Sequence, residues 1–357
     1  MMTGTETQDP SGEASYPTRP YPPSWLERVT ARVQRLPGRA EPYYLLLFIL
    51  QLAYVSGVLW LNGKAPVGTI DLQKSFFVVL APYFLWVRYH LDRVAGVALR
   101  TFRPALTVND AEFSELSYRL TTLPAREARI VTAGIALASL WGFTRLPASI
   151  AEQYAASRET AFLAIVPLGI LALVTIAVST WHAIHQLRMV AHIHRLATQI
   201  ELFRPRPLYA FSRLTASTGM SFLLIPSGFL AILPEVLERP IARTLLVAIV
   251  PIGVASFVLP LIGMHRRIAA GKERLLAEAN RRLETMIVRL HQRVDEDVVS
   301  DADKVNAQMA AVIAGRALLE RMSTWPWNTE TMTAFVTTLV LPLLVWLLTR
   351  VLERGAF

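Results

Sequence analysis

Apolar residues occur in long blocks along this chain, separated by shorter polar stretches. A helix needs roughly 20 apolar residues to cross a bilayer. Seven stretches come near that length: 43–61, 68–89, 130–146, 160–180, 214–233, 244–264 and 332–348. They predict an all-α polytopic membrane protein with about seven transmembrane helices. The second stretch has Asp71 and Lys74 near one end and Arg88 at the other, and the third is short.

Between the last two blocks the pattern changes. Residues 265–327 are polar and charged, with Gly271 near the start, Gly315 near the end and no proline before Pro326. Leu276, Ala279, Leu283, Met286, Leu290 and Val294 recur at spacings of three and four. Val305, Met309, Val312, Leu319 and Met322 do the same apart from one longer gap. That period predicts a long helical hairpin with a coiled-coil seam, each arm ~35–45 Å long at 1.5 Å per residue. The acidic run Asp295, Glu296, Asp297, Asp301 and Asp303 marks the turn. Its carboxylates lack the glycine and distal glutamate of an EF-hand, so they read as a solvated turn.

Residues 1–23 are rich in Pro, Ser, Thr, Gly and Glu and are expected to be a disordered tail. Ser24 and Glu27 have the spacing of a capping box. They open a short amphipathic helix with Trp25, Val29, Val33 and Leu36 on one face, a pattern suited to a membrane surface. The expected organisation is therefore a tail (1–23), a bundle of six spans with interfacial helices (24–264), a hairpin (265–327), and a final span with a short outer tail (328–357).

Composition agrees with a membrane protein: 53% of the 357 residues are hydrophobic and the mean hydropathy is positive. The chain has no cysteine, which excludes disulfides and cysteine-based metal or redox sites. Its net charge of +9 need not imply nucleic acid, and none is expected as a partner. With the N-terminus placed in the cytoplasm, 28 of the 36 lysines and arginines fall on that side, 11 of them in the hairpin. The positive-inside rule then gives N-in, C-out in a plasma or inner membrane. Trp60, Trp181, Trp325 and Trp327 lie near span ends and are expected to anchor the chain at the bilayer interface.

The candidate chemistry is sparse. His182, His185 and His192 share one helical face, an arrangement that can hold a transition metal. Imidazoles in a basic collar also serve simply as packing groups. A similar collar recurs after the second, fourth and sixth blocks, at His90–Arg93, His185–Arg188 and His265–Arg267. The first two collars lead to Phe102-Arg103-Pro104 and Phe203-Arg204-Pro205. The central stretches of the later spans carry no ionisable residue, unlike those of a proton-coupled pump. There is no P-loop, GxSxG or HExxH motif, so neither an enzyme nor a cofactor is expected. Thr333, Thr337 and Thr338 could line a pore, with Pro342 in the apolar half beyond them. They could equally pack against neighbouring helices.

The layout of seven spans with cytoplasmic extensions of the later helices is similar to that of insect olfactory and gustatory receptor channels. That likeness implies tetramerisation through the extensions and a pore lined by the seventh helix, although span seven carries no motif of that family. The expectation is an oligomeric channel or ligand-responsive receptor in the lipid bilayer, assembled through the hairpin. The alternatives are a scaffold or sensor whose hairpin docks a cytoplasmic protein, and a transporter.

Overall fold

The computed structural model describes residues 19–145, 152–155, 157–198, 201–232, 240–295 and 302–355, and all regular structure in them is helical. The helices are α1 (Trp25–Gln34), α2 (Glu41–Leu61), α3 (Leu72–Phe76), α4 (Leu80–Phe102), α5 (Asp110–Thr121), α6 (Ala125–Thr144), α7 (Arg158–Ala164), α8 (Val166–Leu196), α9 (Pro205–Leu208), α10 (Ser212–Ile232), α11 (Pro240–Val258), α12 (Ile262–Asp295), α13 (Ala302–Arg321) and α14 (Thr329–Gly355). The expected tail up to residue 18 and residues 296–301 of the acidic turn lie outside the described residues.

Among the described residues five helical stretches are long and apolar enough to cross a membrane: Glu41–Leu61, Val166–Leu196, Arg206–Ile232, Val247–Gln292 and Thr329–Leu348. The chain is thus a helical, multi-pass membrane protein. The expected second and third spans are not among the five. The second is broken into α3 and α4, and α4 carries Arg88, Asp92 and Arg93. The third, α6, opens with Arg126, Glu127 and Arg129.

The break before α4 has a local cause. Pro82 has no N–H to donate to the carbonyl of Val78, one helical turn back. The Gln51 side chain fills the vacancy, donating from Nε2 to the Val78 carbonyl at 2.9 Å. Gln51 shares the buried face of α2 with Tyr44, Val55 and Leu59, while Leu45, Leu46, Ile49 and Leu50 lie exposed on the other side. An apolar exposed face of that kind suits hydrocarbon.

Helices α10, α11 and α14 pack at close range. A Cβ on Gly219 would sit 2.8 Å from the Gly253 carbonyl oxygen and 2.8 Å from the Phe335 ring, and one on Gly253 would strike Leu223. Small residues let membrane helices approach this closely. The hydroxyls of Thr215, Thr218, Ser221 and Ser227 bond back to carbonyls of their own helix, α10.

Helices α4 and α8 run on past their apolar parts and pack side by side with α5. Their contacts bury Leu91, Ala95, Leu99 and Phe102 against Leu116, Leu120, Val190 and Ile193. Helix α8 continues without a break from its apolar part through the histidines to Leu196. Helices α12 and α13 pack against each other. Leu276, Ala279, Leu283, Met286 and Leu290 are partly covered, whereas Ala277, Arg281, Glu284, Ile287 and Val288 between them are exposed.

Candidate functional site

The most unusual feature is a charged side chain with almost no access to solvent. Arg88 of α4 is 1% exposed. Its Nη2 donates to Glu27 Oε1 at 2.5 Å, and its Nε lies 3.6 Å from Asp92 Oδ2 one turn further along α4. Glu27 belongs to α1. Its Oε1 also accepts from the Leu123 backbone N–H, and its Oε2 accepts from that of Ser24. The capping box expected at Ser24 is present, but the same carboxylate also ties α1 to α4 and to the turn before α6.

The network continues into α8. His182 Nε2 donates to Asp92 Oδ1 at 2.7 Å, and Gln186 Nε2 donates to the same oxygen at 3.2 Å. Gln186 also reaches the Leu120 carbonyl at 3.3 Å. Trp181 Nε1 donates to Glu127 Oε2 at 2.8 Å, and His185 Nε2 to the Arg119 carbonyl at 3.0 Å. These contacts gather α1, α4, α5, α6 and α8 at one level of the bundle. Beside them, the Tyr21 hydroxyl donates to the Thr122 carbonyl at 2.9 Å. Burial, and next the nearby Tyr118, push the Tyr21 phenol up to about 12.

The three histidines proposed as metal ligands are therefore not brought together. His182 is held on Asp92 and His185 on Arg119, while His192 is partly covered elsewhere along α8. No group of three or more metal-type side chains forms among the described residues. His194 is the buried histidine of the next turn: its Nδ1 donates to the Pro260 carbonyl at 3.1 Å, between the rings of Phe102 and Phe211. Arg267 of α12 donates to the Arg195 and Ala197 carbonyls, supplying cationic partners for the C-terminus of α8. The repeated collars are not equivalent in space. His90 stacks on Trp86, His185 bonds to a carbonyl, and His265 does both, on Trp325 and the Thr324 carbonyl. Phe102 is buried, whereas Phe203 is 66% exposed.

A second arrangement joins the α12–α13 pair to the last span. The His265 ring stacks on Trp325 at 4.0 Å, and Trp325 stacks on Trp327 at 4.4 Å. Trp327 meets Phe257 at 5.2 Å, and Phe257 stacks on Phe335 of α14 at 4.4 Å. His265 Nδ1 also donates to the Thr324 carbonyl at 3.1 Å. Lys272 of α12 donates to the carbonyls of Glu320 and Met322 at the end of α13. Asn328 caps α14, accepting from the Thr331 N–H at 2.9 Å. Trp325 and Trp327, expected as interface anchors, are half-buried rungs of this aromatic ladder. Trp60 donates to the Thr69 carbonyl at 2.7 Å, and Trp181 is tied to Glu127.

The ladder ends on the buried side of α14. Met332, Phe335 and Leu339 face the bundle, Thr333 and Thr337 are exposed on the opposite side, and Thr338 lies between and bonds to the Ala334 carbonyl. Only 11% of the apolar part of α14 is buried, against 28% to 50% for the other four candidate spans.

Sequence reading alone missed Glu27, Arg88 and Asp92 as a set. The one available signal was Arg88 and Asp92 spaced four apart beside a largely apolar run. Comparison with protein-family models, with curated proteins and with solved structures finds no match for this chain.

Proposed function

We propose that the chain is an oligomeric channel or ligand-responsive receptor in which α14 faces a shared axis. In this reading the α12–α13 pair assembles the copies on the cytoplasmic side. The observation that supports it is the state of α14. It is the least covered candidate span, and it turns Thr333 and Thr337 away from its own bundle. Hydroxyls on a membrane helix are better placed at a helix interface or an aqueous path than in hydrocarbon. The ladder through Trp327 and Phe335 would carry movement of the α12–α13 pair to that helix.

The natural chain has no cysteine, so Thr337→Cys creates a unique thiol. In proteoliposomes, a membrane-impermeant thiol reagent should modify it and change ion flux. An unreactive thiol in a bilayer that stays tight under every ligand, pH and voltage applied would count against the reading.

A second reading, a scaffold or sensor that docks a cytoplasmic partner, is favoured by one feature. Ile287, Val288, Ile313 and Leu318 are 41% to 62% exposed on the α12–α13 pair. Deleting residues 272–322 separates the two. Loss of the oligomer supports self-assembly, and an oligomer that persists favours docking.

A further inference from the structure

Helix α1 sits the other way round from a surface-lying amphipathic helix. Its apolar side is turned to protein: Leu26 is fully buried, Thr30 is buried, and Trp25 Nε1 donates to Thr132 Oγ1 at 2.8 Å. Thr132 lies inside the apolar run of α6, next to Ile130, which is 62% exposed. So α1 lodges at the flank of the bundle, at the level where the apolar helices begin.

The outward side of α1 is left to arginine. Arg28, Arg32 and Arg35 are exposed and spaced four and three apart, which aligns them in one stripe. Arg39 is exposed just beyond, after the turn at Gly38. Residues 28–40 contain no Asp or Glu. The two flanking carboxylates are already engaged, Glu27 on Arg88 and Glu41 on Arg93. Among the described residues none of the four guanidiniums has a carboxylate partner. Exposed Leu36 lies within the same stretch, and the exposed apolar face of α2 begins a few residues later, at Leu45.

We infer that the stripe Arg28, Arg32, Arg35 and Arg39 binds anionic phospholipid headgroups. A guanidinium matches a phosphate with two parallel N–H donors, and Arg is more weakly hydrated than Lys. The position selects lipid over a soluble acidic partner, because the stripe borders a helix face made for hydrocarbon. Headgroups bound there hold α1 in place. Because Glu27 fastens α1 to Arg88, the lipid surface is coupled to the buried network through one short helix. A ligand that binds only the docked state stabilises it by mass action.

The test uses the full-length protein in phosphatidylcholine vesicles carrying trace spin-labelled phosphatidylglycerol or spin-labelled phosphatidylcholine. The motionally restricted fraction gives the selectivity between the two. The natural chain should prefer phosphatidylglycerol, and 0.5 M salt, used as about the strongest practical screening condition, should weaken that preference. Each arginine contributes roughly a fivefold effect at most. A variant with all four arginines changed to Gln should lose most of the selectivity, and one with all four changed to Lys should keep a large part of it. A control with Arg281, Arg282 and Arg289 changed to Gln should behave like the natural chain. Selectivity that survives in the Gln variant overturns the proposal. So does stripe-dependent binding of an acidic peptide or of glycerol phosphate without any lipid selectivity. Unchanged circular dichroism and elution volume establish that the variants are folded.

Discussion

Arg88 is 1% exposed, and the one hydrogen bond described for its guanidinium runs to Glu27. Removing one member of a buried ion pair leaves an uncompensated charge, at a cost of about 3–5 kcal/mol. Glu27→Gln is a clean test, because Gln can still complete a capping box at Ser24. It should lower the midpoint of thermal unfolding in detergent by an amount matching that loss. Adding Arg88→Met removes the buried charge itself, and the double variant should regain more than half of the lost stability. A double variant no better than Glu27→Gln would mean that Glu27 acts mainly through its bond to the Leu123 N–H. The pair was hard to read from sequence because its members are 61 residues apart and Glu27 has a sufficient local explanation as a cap. Asp92 was read as part of a collar and His182 as part of a metal face, yet each is the other's partner.

At the level of elements, one side chain compensates for one proline. Pro82 leaves the Val78 carbonyl without its helical donor, and Gln51 from α2 provides one. An unsatisfied buried carbonyl costs about 1–3 kcal/mol. Gln51→Leu should destabilise the protein by about that much, as read from thermal unfolding. In a Pro82→Ala background the helix supplies its own N–H, and the same substitution should cost less than half as much. Equal costs in both backgrounds would show that Gln51 acts by packing alone. The long helices themselves were legible, because apolar block length and the spacing of Leu276, Leu283 and Leu290 depend only on local sequence. The break between α3 and α4 follows from Pro82, but the donor that satisfies the freed carbonyl was not legible, because Gln51 comes from another helix. What α1 faces also escaped: the stripe of Trp25, Val29 and Val33 suits a membrane surface, yet Trp25 and Val33 pack against the bundle beside buried Leu26.

For the whole molecule the question is whether its two ends move as one body. The level around Arg88 joins α1, α4, α5, α6 and α8, while the ladder from His265 to Phe335 joins α11, α12 and α14. His194 bridges them, because it sits on α8, bonds to the Pro260 carbonyl between α11 and α12, and packs on Phe102 of α4. If the ladder is the mechanical path to α14, Trp327 is its middle rung, in ring contact with Trp325 on one side and Phe257 on the other. Each aromatic contact contributes about 0.5–1.5 kcal/mol beyond the area it buries. Trp327→Leu keeps an apolar group and should weaken the junction by about 1–3 kcal/mol, the sum of two such contacts. Hydrogen exchange would then rise together in the last turn of α13 and the first turns of α14, with no change around Arg88. A rise confined to α13 would make the ladder a local clasp. A rise that reached the Arg88 level would mean that the bundle opens as a single cooperative unit.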